Sequence, residues 1–443
     1  MAHPPTSASS ISALPLTAFP EGDKADFTWT STPELIRIID ALSAQRAHSA
    51  MFVGGCVRDS FLGNPPRIGQ PDSPTDIDIA TSLSPDDTMA ALRAAGLKAI
   101  PTGYDHGTIT AVADGLVAEI TTLRADLETD GRHATVQYTE DWQQDWRRRD
   151  FTINALYVTP DGKLFDPAAG LTDLTRQKVA FIGDTQTRIR EDYLRILRFY
   201  RFSARYAATI DPQGHAACES LRAGLQQISS ERVTAELRKI LAGPRLPFTL
   251  TAMADSGILA EIIPAPADLP NACALYDLCQ QTHENTPELY LAALWDNPAD
   301  VITRLRLSNA QSQHLTSIST NTDWLAAAPD EAHGRELLYR HGPEALRAAS
   351  LLLGARDHAA GLETTRWHDL FSLPARWQAP ACPFSAASFI ARGLPIGPAI
   401  GKALAAAEKA WIAADYPRGK ATIDQIIDEV AETVRTGQPG TES

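Results

Sequence analysis

Residues 75–81 have the sequence TDIDIAT, in which two aspartates flank an isoleucine inside an alternating polar and apolar run. Successive side chains of a β-strand point to opposite faces, so a strand here would place Asp76 and Asp78 side by side and turn Ile77 and Ile79 toward the core. Two neighbouring carboxylates supply the hard oxygen ligands that Mg²⁺ takes, with coordination positions left for phosphate oxygens. Taken alone, such a segment is more often a solvated strand face than a metal site, so the surrounding sequence has to decide.

The composition is typical of a folded protein with several domains. At 443 residues the chain is long enough for about two to four domains. Its 44% hydrophobic and 21% charged residues are ordinary for globular proteins. It contains no run of about eighteen apolar residues that would predict a membrane-spanning helix. Residues 1–20 lack Lys and Arg and have no long apolar core, so we expect a mobile tail over residues 1–30 rather than a signal peptide.

The cysteine content and the charge of the chain indicate its compartment and its possible partners. The five cysteines form no C-x-x-C pair, which favours a reducing cytoplasm over a disulfide framework or a zinc site. The formal net charge of −14 argues, for the chain as a whole, against a nucleic-acid partner. Between Arg188 and Arg205, however, six arginines stand against two acidic residues. Basic charge is therefore concentrated in one place.

A glycine pair precedes the aspartate segment. The sequence predicts a helix over residues 33–45, a short strand over 50–53, a break at Gly54 and Gly55, and a helix from residue 56 to 62. Backbone N–H groups and the helix dipole at such a junction can hold an anion, so one interpretation is a phosphate-binding turn. The other is a tight turn whose glycines supply only backbone freedom.

Two more strands are predicted over residues 107–113 and 116–123. Glu119 on the second strand would offer a third carboxylate if that strand lies beside the aspartate strand; otherwise it is a solvated strand residue. Residues 124–145 are polar and poorly periodic, which predicts a mobile loop. The run Arg147-Arg148-Arg149 that follows could bind polyphosphate through charge-assisted hydrogen bonds, or form a solvated basic helix start.

The strongest helical pattern covers residues 188–206, where an apolar stripe alternates with charged residues at three- and four-residue steps. Its acids and arginines could simply form ion pairs within the helix, each worth about 0.2–0.5 kcal/mol. They could also present an acceptor and a donor to the edge of a nucleobase, because aspartate accepts amino protons and arginine donates two hydrogen bonds. Beyond about residue 212 the chain becomes rich in Ala and Leu and predicts an all-α region.

Several segments in this order resemble the class II tRNA nucleotidyltransferase/poly(A) polymerase family, and most of all its bacterial CCA-adding branch. They are GGCVRD (54–59), TDID (75–78), RRDFTINA (148–155) and EDYLR (191–195), and the resemblance covers residues 30–245. It implies an α+β fold with a polymerase-β-like nucleotidyltransferase head containing a mixed sheet, followed by an all-α neck, body and tail. The implied boundaries are a tail over 1–30, a head over 31–180, a neck over 181–245 and a tRNA-binding body and tail over 246–443.

The resemblance also implies roles for individual residues. Asp76 and Asp78 would be catalytic and bind Mg²⁺, with Glu119 as a further candidate ligand. Asp192 and Arg195 would pair with the base of CTP or ATP. The residues implied to bind the triphosphate are Gly54, Gly55 and Arg58. The residues implied to support the nucleotide site are Arg149, Asp150, Asn154, Glu191 and Arg198.

The implied reaction is template-independent, metal-dependent addition of CCA to the 3′ ends of tRNA, with tRNA, CTP and ATP as partners. Within this class, enzymes that add only CC or only A, and poly(A) polymerases, are alternatives. From another class, the chain could be a catalytically silent RNA-binding relative. A silent relative would have no need of both Asp76 and Asp78, which favours the enzyme.

Overall fold

The computed structural model describes residues 11, 14–18, 25–68, 77–125 and 137–436. It divides into two compact units, Met1–Pro264 and Ala265–Ser443. The strands of the described residues are β1 (Ala50–Val53), β2 (Ile77–Thr81), β3 (Lys98–Gly103), β4 (Thr108–Ala113), β5 (Leu116–Thr122), β6 (Arg124–Ala125), β7 (Gln137–Tyr138), β8 (Tyr157–Val158) and β9 (Leu164–Phe165).

Helices occupy most of the remaining described chain. In the first unit they are α1 (Pro33–Gln45), α2 (Gly55–Phe61), α3 (Pro85–Ala94), α4 (Trp142–Arg147), α5 (Gly170–Thr175), α6 (Thr185–Glu191), α7 (Leu194–Tyr206), α8 (Pro212–Leu221), α9 (Ser230–Leu241), α10 (Leu246–Asp255) and α11 (Ile258–Ile262). In the second they are α12 (Leu269–Thr282), α13 (Pro287–Leu294), α14 (Pro298–Leu305), α15 (Asn309–Ala327), α16 (Glu331–Ala359), α17 (Thr365–Arg376), α18 (Ala386–Ile390), α19 (Pro398–Ala413) and α20 (Lys420–Thr436). None of the described helices is long and apolar enough to cross a membrane.

A seven-stranded mixed sheet in the order β3-β4-β5-β2-β1-β8-β9 forms the head. Strands β2 and β5 are parallel, and the other neighbouring pairs are antiparallel. The central strand β2 carries Ile77 and Ile79, which are almost fully buried, and Asp78, which is only partly buried. This alternation is the one predicted from the sequence, and it turns Asp78 away from the core. The α+β head followed by an all-helical remainder confirms the predicted fold class.

The N-terminal segment differs from the prediction of a mobile tail over residues 1–30. Ile11 and Leu14 are buried against a cluster that includes Met51 and Val53 of β1. Thr17 forms an antiparallel bridge with Leu164 of β9. The described residues of the segment therefore pack on the head, because their apolar side chains cover one end of the sheet.

Two further sequence predictions need correction. The described part of the segment 124–145 is not wholly a loop, since it contains β6, β7 and the start of α4, where Trp142 is fully buried; residues 126–136 lie outside the described residues. The helical pattern over 188–206 is not one helix. It is divided at Asp192, whose backbone is extended with φ −154° and ψ 102°.

Among its described residues the second unit has helices joined by loops and no strand, and it has two apolar clusters. One joins α15, α16 and α17 around Leu346 and Leu370. The other joins α18, α19 and α20 around Trp411 and Phe389. The long α16 is kinked at Gly342, whose φ of +82° is followed by Pro343, as expected where proline removes a helical hydrogen bond.

Candidate nucleotide site

A cleft of about 1260 Å³ lies in the first unit between the head and helices α7 and α9. We call it the cleft. Its described wall carries ten Arg and Lys side chains and four Asp side chains, so its local charge is opposite to that of the whole chain. It brings together ten of the residues predicted from the sequence: Gly54, Gly55, Arg58, Asp78, Arg149, Asp150, Asn154, Asp192, Arg195 and Arg198. Glu119 and Glu191 do not line it, and Asp76 lies outside the described residues.

The glycine turn at the end of β1 requires glycine at its first position. Gly54 has φ +76° and ψ −126°, a conformation that residues with a Cβ rarely adopt. A Cβ added there would lie 3.6 Å from Oδ2 of Asp78. The turn and the Asp78 carboxylate are therefore close neighbours, and α2 begins immediately after them. The first N–H groups of a helix have no intrahelical acceptor, so they are available to an anion in the cleft.

The carboxylates on the sheet have the chemistry of a divalent-cation site. Asp78 on β2 is the register partner of Glu119 on the parallel strand β5, so the condition under which Glu119 was a candidate, that the two strands are neighbours, is met. Within the described ranges, no group of three or more His, Cys, Asp or Glu side chains is placed to hold a metal ion. Asp76 is outside those ranges. Asp78 thus offers one hard oxygen donor at the cleft, which suits a cation held partly by phosphate oxygens.

Arg58 of α2 is held on several sides. Its Nε and Nη2 donate to the two oxygens of Asp59 at 2.9 and 3.2 Å, and its Nη1 donates to Oδ1 of Asn154 at 2.6 Å. Its guanidinium lies 4.1 Å from the ring centre of Tyr206, whose hydroxyl donates to Asp59 at 2.9 Å. Arg58 therefore joins α2 to the end of α7, and it also lines the cleft.

Asp150 links the head to the neck. Its Oδ1 accepts from the Asn154 side chain at 2.9 Å, and its Oδ2 accepts from Nε and Nη2 of Arg198 on α7 at 2.7 and 2.6 Å. Burial alone would raise the pKa of the Asp150 carboxyl, but the charge of Arg198 and the hydrogen bonds from Asn154 and Arg198 hold it below its ordinary value. Asp150 is therefore a carboxylate at neutral pH.

The predicted base-reading pair lies at the break between α6 and α7. Oδ1 of Asp192 accepts from the backbone N–H of Leu194 at 3.1 Å, and Oδ2 accepts from Nη2 of Arg232 on α9 at 2.8 Å. Arg195 donates through Nη1 to Glu191 at 2.6 Å and to the carbonyl of Arg188 at 2.7 Å. The Glu191–Arg195 pair expected within a helix is thus present, whereas Asp192 pairs with Arg232.

Sequence reasoning missed two acidic residues that shape the site. Asp145 accepts hydrogen bonds from both Arg148 and Arg149, and Glu236 on α9 accepts from Arg201 at 2.6 Å. The spacing of Asp145 three and four residues before two arginines is a signal that helical pairing rules could have found. Glu236 has a local partner in Lys239, but its contact with Arg201 gave no such signal, because the two residues are 35 positions apart in the chain.

The mixed sheet, the glycine turn and the partly buried Asp78 beside a cationic cleft define the head as that of a nucleotidyltransferase. Residues 50–180 match the family profile described as "Poly A polymerase head domain". Residues 209–269 match the one described as "Probable RNA and SrmB- binding site of polymerase A".

Two curated relatives specify the family. The mitochondrial CCA tRNA nucleotidyltransferase 1 of Mus musculus is 32% identical over 419 residues, which is 90% of each chain. The CCA-adding enzyme of Geobacillus stearothermophilus is 36% identical over 231 residues, which is 52% of this chain and 54% of that one. The chain therefore belongs to the CCA tRNA nucleotidyltransferase family of enzymes.

Solved structures agree with this assignment. The Bacillus stearothermophilus CCA-adding enzyme in complex with CTP matches with a TM-score of 0.68 and 27% identity, over 92% of this chain and all of that one. The Thermotoga maritima CCA-adding enzyme complexed with tRNA has the same fold, with a TM-score of 0.63 and 20% identity, over 91% of this chain and 97% of that one.

Proposed function

We propose that this protein adds CMP, CMP and AMP in turn to the 3′ end of tRNA, using CTP and ATP and releasing pyrophosphate. The observation that carries the proposal is the shared cleft. It holds the glycine turn, Asp78, and the pair Asp192 and Arg195 within one cationic wall. A phosphate site, a metal-binding carboxylate and a base reader are what template-independent nucleotidyl transfer needs.

The triphosphate would bind where the positive potential of the cleft meets the first N–H groups of α2. The Gly54–Gly55 turn brings backbone close to Asp78 without a side chain between them. Arg148 and Arg149 also line the cleft and provide planar guanidinium groups suited to phosphate oxygens. Binding at several fixed donors would hold the α-phosphate in position for attack, which is the main work of such an enzyme.

We assign a Mg²⁺ site to Asp76 and Asp78, with Glu119 as a further candidate ligand. When bound, Mg²⁺ would make the tRNA 3′-hydroxyl a better nucleophile and offset the charge of the phosphoryl group and departing pyrophosphate. The family is metal-dependent in general, and the oxygen donors here suit a hard cation. The protein's own part is to fix Asp78 on a central strand beside the glycine turn.

Selection of C and A would follow from the polarity of Asp192 and Arg195. Cytosine and adenine each carry an exocyclic amino group next to a ring nitrogen that accepts a hydrogen bond. A carboxylate accepts from that amino group and a guanidinium donates to the ring nitrogen. Uracil and guanine present the opposite order, a carbonyl next to an N–H. Their carbonyl would face the carboxylate, so two acceptors would meet, and their N–H would face the guanidinium, so two donors would meet.

Binding of tRNA would rely on shape and on the backbone, as is usual for structured RNA. The net charge of −14 does not oppose this, because the cleft wall itself is cationic. We also propose a cytoplasmic location. In its support, all five cysteines are free in the structure, which fits a reducing compartment.

The test is CTP incorporation into a tRNA that lacks its 3′ CCA, comparing the wild-type chain with Asp78→Ala. We expect the variant to lose at least about 100-fold in rate, because a single electrostatic contact to the reacting group contributes on that scale. Asp40→Ala, the same change at an exposed position of α1, is the control and should keep normal activity. Near-normal incorporation by Asp78→Ala would contradict the proposed catalytic role of Asp78.

A further inference from the structure

One buried carboxylate next to the cleft lies outside the groups assigned to the reaction. Asp145, on α4, is 1% exposed. Its Oδ1 accepts from Nε and Nη2 of Arg148 at 3.1 and 2.7 Å, and its Oδ2 accepts from Nε and Nη2 of Arg149 at 3.2 and 3.0 Å. Tyr157 of β8 donates its hydroxyl to Oδ2 at 2.7 Å. Two guanidinium groups thus share a single carboxylate.

The charges of this cluster do not cancel. Burial would raise the pKa of the Asp145 carboxyl, but the charges of Arg149 and Arg148 outweigh it and lower that pKa, so Asp145 is an anion. Burial also raises the pKa of the Tyr157 hydroxyl well above its ordinary value, so Tyr157 is neutral. One anion and two cations leave one positive charge, and both arginines open onto the cleft. An anionic ligand is the natural partner for that charge.

The hydrogen bonds also fix the direction of both arginines. Each uses Nε and Nη2 on Asp145, so each guanidinium plane is held at two points. In the described structure neither Nη1 has a hydrogen-bond partner, and both side chains are nearly one-fifth exposed. Arginines held in this way present donors to phosphate with little further loss of rotamer freedom.

The same cluster reaches the base-reading pair through the backbone. Nη2 of Arg195 donates to the carbonyl oxygen of Arg148 at 2.9 Å. Arg148 is therefore held by Asp145 through its side chain and supports Arg195 through its main chain. A shift of Arg148 would move the arginine that reads the base.

We propose that Asp145 is a positioning residue for the incoming nucleotide. It aims Arg148 and Arg149 at the triphosphate and, through the Arg148 carbonyl, sets the position of Arg195 and hence the choice between CTP and ATP. The proposal rests on the proposed nucleotidyl transfer and adds the group that organises its cationic wall.

The test is steady-state kinetics of Asp145→Asn with CTP and with ATP on matching tRNA substrates. We expect KM for both nucleotides to rise about 10- to 100-fold, as for other residues that orient a contact group. KM for tRNA should stay within about twofold, and the ratio of kcat/KM for CTP to that for ATP should change. The matched control is Asp141→Asn on the same helix, where asparagine keeps the cap that Asp141 gives to Gln143. It should behave as wild type.

Unchanged nucleotide KM and an unchanged CTP-to-ATP ratio in folded Asp145→Asn would overturn the proposal. If that variant does not fold, Arg148→Lys decides instead, because lysine keeps the charge but cannot make the two-point contact. We then expect a raised KM for both nucleotides, and a normal KM would overturn the proposal. Failure of the proposed function is a separate result: the wild-type chain would not extend tRNA in the same assay.

Discussion

Asp192 combines a structural and a chemical task in one side chain. Its Oδ1 accepts the Leu194 N–H at the start of α7, and its Oδ2 faces Arg232. The first contact satisfies a backbone donor that the helix leaves open, and the second neutralises part of the charge next to the cleft. Removing the whole side chain would disturb both, so a substitution that preserves one task is more informative.

Asp192→Asn is that substitution. Asparagine caps helices about as well as aspartate, so we expect the free energy of unfolding to change by less than about 1 kcal/mol. Loss of the carboxylate should lower kcat/KM for CTP and ATP about 10- to 100-fold, the value of one good base contact. Steady-state kinetics and denaturant melts measure the two effects.

Asp211→Asn is the matched control for this prediction. Asp211 also caps a helix, accepting from Gly214 at 2.9 Å, and also pairs with a basic side chain, Lys178, at 3.2 Å, but it does not line the cleft. It should leave kinetics unchanged. Equal losses of activity in the two variants would contradict a base-reading role for Asp192.

At the residue scale, the sequence predicted the members of the site better than their contacts. Asp192 and Arg195 both line the cleft, but the hydrogen-bond partner of the Asp192 side chain on another element is Arg232, 40 residues on. The contact between Tyr157 and Asp145 was missed because it joins a strand to a helix, and no periodicity records such a pair. Local spacing reveals neighbours along one element, whereas contacts between elements depend on the fold.

The break between α6 and α7 shows the limit of periodicity at the scale of elements. The apolar stripe continues on both sides of Asp192, so residues 188–206 predict one helix. The backbone leaves the helical region at Asp192 and re-enters it at Tyr193, and the Asp192 side chain accepts from the N–H of Leu194, the first residue of α7. Strand β3 was missed for a different reason: it is an edge strand that contains Pro101 and ends at Gly103, residues that weaken a strand pattern.

The contact between Asp150 and α7 predicts a pH dependence of stability. The pKa of the folded carboxyl lies below the ordinary value of 3.8. The stabilisation is therefore fully present above that value and is lost as the pH falls through the folded pKa. Between about pH 5 and about pH 3, the unfolding free energy of wild type should fall more steeply than that of Asp150→Asn.

At neutral pH the same variant should be less stable by about 3 kcal/mol, because Arg198 loses its buried partner. Denaturant melts of both chains across this range provide the measurement. Parallel pH profiles for the two chains would show that Asp150 does not carry the predicted linkage.

At the scale of the whole molecule, the cleft belongs to one of the two compact units. Every residue that lines it falls within Met1–Pro264. Helices α10 and α11, beyond the predicted neck boundary at residue 245, are part of that unit, and the hydroxyl of Tyr200 on α7 donates to Ser256 at 2.9 Å. The sequence predicted the succession of head and helical regions but not this contact. In an all-helical stretch, nothing in the sequence shows where one hydrophobic core ends and the next begins.

We therefore expect a fragment of residues 1–264 to bind CTP and ATP with dissociation constants within about threefold of those of the full chain, because unit-sized fragments with their own core can fold alone. Calorimetric titration of both proteins measures this. A folded fragment that binds neither nucleotide would show that the cleft is incomplete without the second unit.

The most direct test of the central claim offers a tRNA ending just before CCA to the wild-type enzyme with CTP alone, ATP alone, or both. We expect addition of two residues with CTP alone, no extension with ATP alone, and three residues ending in A with both. Metal chelation should abolish all extension. A ladder of added A residues, or products that stop after CC in the presence of both nucleotides, would contradict the proposal that the enzyme adds the complete CCA sequence.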